Sequence, residues 1–124
     1  MFTALMAAMI WQLNQPIVYA REIPTKEKVM QTIRYVFPSS VEEKMIIIAR
    51  CESDFQPIQS YALNKDGTQE KSFGIFQINI DAHPEYKKEE LLSSYEYNIK
   101  AAYEVWMKEG LKAWLDCSKD NKLL

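Results

Sequence analysis

Glu52 is the residue whose position in the sequence most suggests chemistry. At about 100° per residue, a helix over residues 41–53 places Val41, Met45 and Ile48 in one apolar sector, and Glu52 projects into the middle of that sector. A carboxyl group at the end of an apolar helix face is poorly solvated, so its pKa should rise. It could then hold a proton near neutral pH and donate it as a general acid. Most glutamates on helices are simply solvated, and that is the alternative for Glu52.

Three predicted helices position this residue. Ser40 and Glu43 have the spacing of a capping box, which predicts the start of the Glu52 helix. An earlier helix is predicted over residues 25–36 and a later one over residues 93–108, and each begins at a Thr or Ser that can cap it. Gly110 follows the later helix and is expected to end it, because glycine readily adopts the left-handed conformation found at helix ends.

The segment between the second and third helices predicts a small β element. Residues 55–71 have no sustained period but contain Asp66-Gly67, which could close a short hairpin after Ala62-Leu63. Residues 72–80 then form an uncharged, mostly apolar run. We therefore expect a mainly α (α+β) class, with a helical domain and a small β-hairpin element.

Composition and length indicate one domain that follows a segment of different character. The chain has 124 residues, a net charge of −2 and no basic block, so nothing supports nucleic-acid binding. Residues 1–20 combine an apolar run with Val18-Tyr19-Ala20, which is typical of a signal-peptide cleavage site, although no Lys or Arg precedes the run. The run is too short for a comfortable membrane span, which needs about 20 apolar residues. We expect a signal peptide or N-terminal anchor at residues 1–20 and one domain at residues 21–124; a buried N-terminal helix is the alternative.

The two cysteines, Cys51 and Cys117, also suggest export. An even cysteine count in a small exported domain favours a disulfide, which would tie the end of the Glu52 helix to the C-terminal segment. Two buried free thiols are the alternative. Together with the lone His83, the cysteines make no metal-ligand spacing, so neither a metal nor another cofactor is expected.

Four segments together resemble the lysozyme-like superfamily, namely the animal-type lysozymes and the catalytic domain of soluble lytic transglycosylases. The resemblance covers roughly residues 30–117, and the ordered set is far more specific than any one motif. The segments are Cys51-Glu52-Ser53-Asp54-Phe55, Ser72-Phe73-Gly74-Ile75-Phe76-Gln77-Ile78-Asn79, Asn98-Ile99-Lys100-Ala101-Ala102 and Gly110-Leu111-Lys112-Ala113-Trp114.

The resemblance implies roles for individual residues. It makes Glu52 the general acid/base, places Gln77 in a glycan cleft beside the β-hairpin, and places Gly74 where the backbone approaches a sugar. Glycine permits such an approach, and an amide offers both a donor and an acceptor to an acetamido group. A structural hydrogen bond is the alternative for Gln77, a turn role for Asn79, and core packing for Tyr103. Ser72, Asn79 and Tyr103 complete the candidate substrate-binding residues.

The chain departs from the family pattern at two positions. Animal-type lysozymes carry a second catalytic Asp where this chain has Ser72, and transglycosylases often place a Tyr where it has Val105. Since glycosidases usually need a carboxylate pair, the departure at Ser72 favours a mechanism in which Glu52 acts alone, as both acid and base. The other carboxylates considered as partners, none at the familiar place, are Asp54, Asp66, Glu70 and Asp81.

The resemblance thus implies an exported peptidoglycan lytic transglycosylase that cleaves the MurNAc–GlcNAc β-1,4 bond. We expect it to work as a monomer on glycan strands, outside the cell, in the cell wall or in the periplasm. A hydrolytic lysozyme (muramidase), a non-catalytic glycan-binding relative and a structural or partner-binding exported domain are the alternatives.

Overall fold

Five α-helices, one 3₁₀ helix and one two-stranded antiparallel sheet make up residues 23–124, which are the residues that the computed structural model describes. The expected mainly α class with a small β-hairpin is confirmed. The expected signal peptide or anchor at residues 1–20 lies outside the described residues. Within residues 23–124, no helix has the length and apolar character that a membrane crossing requires. In chain order the elements are α1 (Lys26–Val36), α2 (Glu42–Ser53), β1 (Ser72–Phe73), β2 (Ile78–Asn79), α3 (Lys88–Ser93), α4 (Tyr95–Glu109), the 3₁₀ helix (Gly110–Trp114) and α5 (Leu115–Asp120).

The start of α2 differs from the prediction. Ser40 does not cap this helix: Val41 occupies the N-cap position, and no side chain bonds there. The backbone carbonyl of Pro38 instead accepts from the amides of Val41 and Glu42, at 3.0 and 3.1 Å. Glu43 bonds to Arg34 of α1 at 2.7 Å instead of closing a capping box. A backbone turn and a contact between helices therefore replace the local side-chain cap.

Of the predicted caps of the other two helices, one is confirmed and one lies one residue further along the chain. Thr25 caps α1 as expected, its hydroxyl accepting from the amide of Lys28 at 3.2 Å. The cap of α4 is Ser94 instead of Ser93, because Ser93 ends the short helix α3, which the sequence pattern did not predict. Gly110 ends α4 as expected, with a φ of +69°, but its ψ of −158° lies outside the left-handed helical region.

The two-stranded sheet does not form around Asp66-Gly67, where a hairpin was predicted, but around the next turn along the chain. Ser72 pairs with Asn79 and Phe73 with Ile78, so the four intervening residues form the turn between β1 and β2. Asp66-Gly67 does sit in a turn, but the segments on either side of it share only the single bridge between Leu63 and Gln69. This earlier turn is exposed, whereas the β1–β2 turn is buried and therefore gains far more from packing.

The core lies between α1, α2, α4 and the β1–β2 turn. The apolar sector predicted for α2 is buried, and the apolar residues of the motif around the turn are core residues, as expected. The largest fully buried apolar side chains are Phe73, Phe76, Ile33, Met45, Ile48, Ile75, Leu91 and Ile99.

Asn98 is a fully buried polar residue of α4 that connects three elements. Its side-chain oxygen accepts from the amide of Phe76 at 2.9 Å, and its nitrogen donates to the carbonyls of Phe73 at 2.9 Å and Leu91 at 3.1 Å. The indole nitrogen of Trp114 donates to the carbonyl of Phe76 at 2.8 Å. These bonds satisfy backbone groups that would otherwise be buried without partners, and so they fix the β1–β2 turn against α3, α4 and the 3₁₀ helix.

The backbone at Gly74 closely approaches Asn98 inside the fold, and its expected approach to a sugar stays a prediction. Gly74 is buried and has a φ of +82°. A Cβ at this position would collide with the side-chain nitrogen of Asn98 and with the carbonyl oxygen of Leu91. The backbone amide of Gly74 donates to Ile58, and its carbonyl accepts from Gln77. Glycine is required here by packing inside the fold.

The predicted disulfide is confirmed. Cys51 and Cys117 are bonded, with their Cα atoms 5.9 Å apart, and the bond joins the last turn of α2 to α5. It closes a loop with a sequence separation of 66 residues. In the chain-entropy account, a loop of this length gives a stabilisation on the order of 4 kcal/mol. Glu52 is thus next to a cross-link that limits movement of the helix end.

Replacing Gly74 by Ala should destabilise the fold much more than the same change at Gly67. Both glycines have positive φ, +82° and +86°, but an added Cβ meets no atom within 4 Å at Gly67. Gly67→Ala should therefore cost about 1 kcal/mol through backbone strain alone. Gly74→Ala should cost at least about 2 kcal/mol more because of the collision with Asn98 and Leu91. Denaturant unfolding of both variants checks this, and equal losses would refute the assigned packing role.

Candidate active site

A cleft of about 550 Å³ opens between the end of α2, the β hairpin and the C-terminal end of α4 with the segment after it. Glu52 lies on one wall, and Ser72, Gln77 and Asn79 lie on the hairpin wall. The cleft brings together four of the six candidate site residues. Gly74 and Tyr103 do not line it. The other residues of the cleft that matter below are Glu70, Val105, Glu109, Lys112, Asp116 and His83.

Glu52 has the raised pKa that its position in the sequence predicted. The pKa of Glu52 rises from 4.5 to about 7. The main cause is partial burial of its carboxyl group, and the negative charges of Glu70 and Asp116 add to the effect. Near neutral pH, the group is therefore present in both its protonated and its charged form. A side chain with these properties can donate a proton in one step and accept one in the next.

Ser72 and Asn79 form a hydrogen-bonded chain that leads to Glu70. The amide nitrogen of Asn79 donates to the Ser72 hydroxyl at 3.2 Å, and this hydroxyl donates to a carboxylate oxygen of Glu70 at 2.7 Å. The side-chain oxygen of Asn79 accepts from the backbone amides of Asp81 and Ala82, at 2.9 and 3.0 Å. Asn79 is therefore a turn residue, the alternative considered for it, while it also lines the cleft.

Gln77 has a structural hydrogen-bonding role in addition to its place in the cleft. Its amide nitrogen donates to the carbonyls of Ile58 at 2.8 Å and Gly74 at 2.9 Å, which uses both of its hydrogens. Only the side-chain oxygen is then left to accept a bond from a ligand. The residue adopts a φ of +48°, so the tight turn itself orients this side chain.

Tyr103 does not line the cleft and packs against the core, so its selection as a substrate-binding residue stays a prediction that this packing does not support. Its ring packs against Phe37 at 5.7 Å and Trp106 at 6.0 Å between centroids. Val105 lines the cleft instead. Two positions on a helix point about 200° apart, so residues 103 and 105 must face opposite sides. The alternative of core packing holds for Tyr103.

Of the four carboxylates considered as partners of Glu52, only Glu70 lines the cleft. Asp54 pairs with Lys26 at 3.1 Å, Asp66 accepts bonds from Thr68 in its turn, and Asp81 lies 4.0 Å from Lys71. The sequence held a signal for Glu70, because residues two apart on an extended chain point to the same side and Glu70 is two positions before Ser72.

The sequence reasoning did not single out Asp116. This residue comes directly before Cys117, and Glu52 comes directly after Cys51. A disulfide between those cysteines brings the two carboxylates near each other, so the signal for Asp116 was present in the cysteine pairing.

His83 and Glu109 form a polar pair at the edge of the cleft. The His83 Nε2 atom lies 3.3 Å from a carboxylate oxygen of Glu109, and its Nδ1 atom lies 3.9 Å from Glu85. Within residues 23–124, no group of three or more His, Cys, Asp or Glu side chains is arranged to hold a metal ion. The carboxylates, amides, hydroxyl and imidazole that line the cleft offer acid–base and hydrogen-bonding chemistry.

Comparison with protein-family models identifies a family for most of the described chain. A family model described as a lysozyme-like domain (SLT_3) matches residues 39–115. The matched region includes α2, the β hairpin, α3, α4 and the 3₁₀ helix, and thus nearly the whole cleft. No curated protein and no solved structure matches the chain.

Replacing Glu52 by Gln should stabilise the protein in a pH-dependent way. Folding raises the pKa of Glu52 from 4.5 to about 7, so the charged form is disfavoured in the folded state. The contribution of Glu52 to the stability of the folded protein is complete below pH 4.5, where Glu52 is protonated in both the folded and the unfolded state. This contribution is lost as pH rises through 7, where the group becomes charged in the folded state. Gln resembles the protonated form at every pH, so Glu52→Gln should raise the unfolding free energy by about 2–3 kcal/mol at pH 8. At pH 4 the change should be small.

Denaturant titrations at pH 4 and pH 8 measure this difference. Glu42→Gln, at the opposite end of α2 and outside the cleft, controls for the loss of one negative charge. If Glu52→Gln gave the same change at both pH values, the desolvation of Glu52 would be disproved.

Proposed function

Because the chain belongs to the family of lysozyme-like domains, we propose that it is a peptidoglycan lytic transglycosylase. Its substrate is the β-1,4 bond between MurNAc and GlcNAc in glycan strands. The observation that carries this proposal is Glu52, a carboxyl group with a pKa of about 7 on the wall of an open cleft. The family match supports a glycan as the occupant of the cleft, and in this proposal Glu52 supplies the proton transfers that cleavage needs.

In the proposed reaction, protonated Glu52 donates to the glycosidic oxygen as the bond from that oxygen to C1 breaks. The acetamido oxygen of the same sugar forms a bond to C1 and stabilises the oxocarbenium-like centre. The 6-hydroxyl oxygen then attacks C1 and displaces the acetamido oxygen, while its proton returns to Glu52. The products are a free 4-hydroxyl group and a 1,6-anhydro sugar. No water is consumed, and Glu52 regains its starting state.

The raised pKa supports this double use of one residue. A group is most effective as both acid and base when its pKa lies near the working pH, because neither form is then scarce. Ser72 supports it too, since a hydroxyl stands where the related lysozymes carry their second catalytic carboxylate. Ser72 is buried and its hydroxyl is already engaged with Glu70 and Asn79.

A hydrolytic lysozyme is the second candidate, because Glu70 supplies another carboxylate in the cleft. Paired carboxylates are the usual machinery of glycoside hydrolysis. A non-catalytic glycan-binding relative would need neither residue, and the desolvated acid argues against that candidate. The chemical nature of the released ends separates these possibilities.

Export is part of the proposal, with residues 1–20 as the signal peptide or anchor and a monomer as the working form. The Cys51–Cys117 disulfide is compatible with an oxidising compartment such as the periplasm or the cell exterior. Peptidoglycan is found in the same compartments.

Glu52→Gln should abolish cleavage, because the amide can neither donate the proton nor take it back. The assay is digestion of purified cell-wall sacculi, with the products identified by mass spectrometry. The wild-type chain should release anhydro-muropeptides, each lighter by one water than the hydrolysis product. Glu42→Gln, outside the cleft on the same helix, should retain activity. Reducing ends from the wild type would identify a hydrolase instead, and an active Glu52→Gln variant would reject the assigned acid.

The pH dependence of kcat/KM should identify Glu52 as the acid. Activity should fall as pH rises above about 7, because the free enzyme then loses the Glu52 proton. Asp116→Asn removes a negative charge that helps to raise the pKa of Glu52. This variant should move the alkaline limb to lower pH. An unmoved limb would contradict the coupling between Asp116 and Glu52.

A further inference from the structure

Glu70 is a half-buried carboxylate on the wall of the cleft, and a hydroxyl group holds it there. One of its carboxylate oxygens accepts from the Ser72 hydroxyl at 2.7 Å, and that hydroxyl accepts from Asn79. Among residues 23–124, no Lys, Arg or His pairs with Glu70, and no other side chain donates to it. A half-buried carboxylate without a cation, close enough to raise the pKa of another acid, is unfavourable for the folded protein.

The hydrogen-bonded chain fixes Glu70 more firmly than a surface carboxylate. Asn79 is itself anchored through two backbone amides of the following turn, and the backbone amide of Glu70 donates to the carbonyl of Ala62 at 2.8 Å. The Ser72 bond engages the Oε1 atom, so the Oε2 atom of Glu70 is left for a ligand. A carboxylate that is oriented in advance in this way can stabilise a positive charge without reorganising during the reaction.

Asp116 is a useful contrast within the same cleft. It also raises the pKa of Glu52 through its charge, but it is exposed, and none of the hydrogen bonds of the described chain holds its carboxylate. The two residues therefore share an electrostatic influence on Glu52 and differ in orientation and burial. A role that depends on contact with substrate should belong to Glu70 alone.

We infer that Glu70 is a second catalytic residue, whose carboxylate accepts a hydrogen bond from the acetamido N–H group of the sugar that reacts at C1. This role rests on the proposed function. As the acetamido oxygen bonds to C1, the acetamido group becomes a positively charged oxazolinium ion and its N–H group becomes a stronger donor. The contact with Glu70 thus strengthens toward the transition state, which is the condition for an interaction to accelerate the reaction.

Each step balances with Glu70 in this role. Glu52 gives its proton to the leaving oxygen while the acetamido oxygen takes its place on C1, and Glu70 stays a carboxylate that faces the oxazolinium N–H. When the 6-hydroxyl attacks C1, the bond from C1 to the acetamido oxygen breaks and its electrons return to the amide. The hydroxyl proton passes to Glu52. Glu70 neither gains nor loses a proton.

Ser72 becomes a positioning residue in this arrangement. Where the related lysozymes carry a carboxylate at this place in the motif, Ser72 holds the carboxylate of Glu70, two residues earlier, by a hydrogen bond. The cleft therefore still contains a second carboxylate, that of Glu70, at a different place from the second carboxylate of those lysozymes. The Glu70 carboxylate is directed to the acetamido nitrogen instead of to C1, where a nucleophile would act.

The test compares Glu70→Gln with Asp116→Asn, each of which removes one negative charge with little change of shape. On sacculi, at the pH optimum of each variant, Glu70→Gln should lower kcat by about 100-fold, and the loss for Asp116→Asn should be at least about tenfold smaller. Ser72→Ala should lower kcat by about tenfold, since Glu70 keeps its charge but loses its orientation. Equal losses for the Gln and Asn variants would overturn the inference, because Glu70 would then act only through its field at Glu52.

Ligand affinity gives a second readout that a purely structural role would not move. A thiazoline analogue of the cyclised acetamido sugar mimics the oxazolinium ion, whereas chitotriose mimics the uncleaved chain. Glu70→Gln should weaken thiazoline binding at least tenfold and chitotriose binding less than threefold. Parallel losses for both ligands would refute the proposed contact.

The products of the wild-type chain separate the possible failures. Anhydro products together with a fully active Glu70→Gln variant would reject the role of Glu70 and leave the proposed function standing. Reducing products, with a glycosyl azide formed when azide is added to a Glu70→Ala variant, would make Glu70 the nucleophile of a hydrolase and overturn both proposals.

Discussion

The buried amide of Asn98 is the interaction on which the rest of this structure depends. It bonds to backbone groups of Phe73, Phe76 and Leu91, which belong to the hairpin and to α3. A β hairpin with two residues in each strand has too few ladder bonds to hold its own shape. The Asn98 bonds supply what the ladder lacks, and they require Gly74, since any side chain there would occupy the space of the amide.

The same arrangement fixes the hairpin wall of the cleft. The Ser53 hydroxyl donates to the carbonyl of Ile75 at 2.7 Å, and Trp114 donates to that of Phe76. Ser53 is the residue after Glu52, so the last turn of α2 is bonded directly to the turn that carries Gln77. The Cys51–Cys117 disulfide holds the same helix end from the other side. Catalysis that depends on position needs such supports, since small displacements of a catalytic group are costly in rate.

The charges in the cleft lower the stability of the folded protein, and they also raise the pKa of Glu52 into the range that acid–base catalysis needs. Burial and two neighbouring carboxylates raise the pKa of Glu52 to about 7, so the folded protein is less stable when this group is charged. The rigid hairpin and the cross-link offset this loss. Perturbed acids that cost stability are concentrated at functional sites, and here the perturbation comes from the same walls that bound the cleft.

The sequence by itself determined the features that depend on local pattern. Helical periodicity was enough to predict α1, α2 and α4 and the desolvation of Glu52, because a helix carries its residues at fixed angles wherever it packs. Cysteine count was enough for the disulfide. Caps were less predictable: Ser94 caps α4 instead of Ser93, and Pro38 replaces Ser40, because competing groups within one or two residues decide each cap.

Only the tertiary structure decided what faces the cleft. The role of Gly74 depends on Asn98, and the orientation of Tyr103 depends on its packing against Phe37, which follows α1. The amide of Gln77 is engaged by Ile58, which lies 19 residues earlier in the chain. Such contacts join segments far apart in the sequence. Their partners are set by how the elements pack together, and local propensity carries no record of that packing.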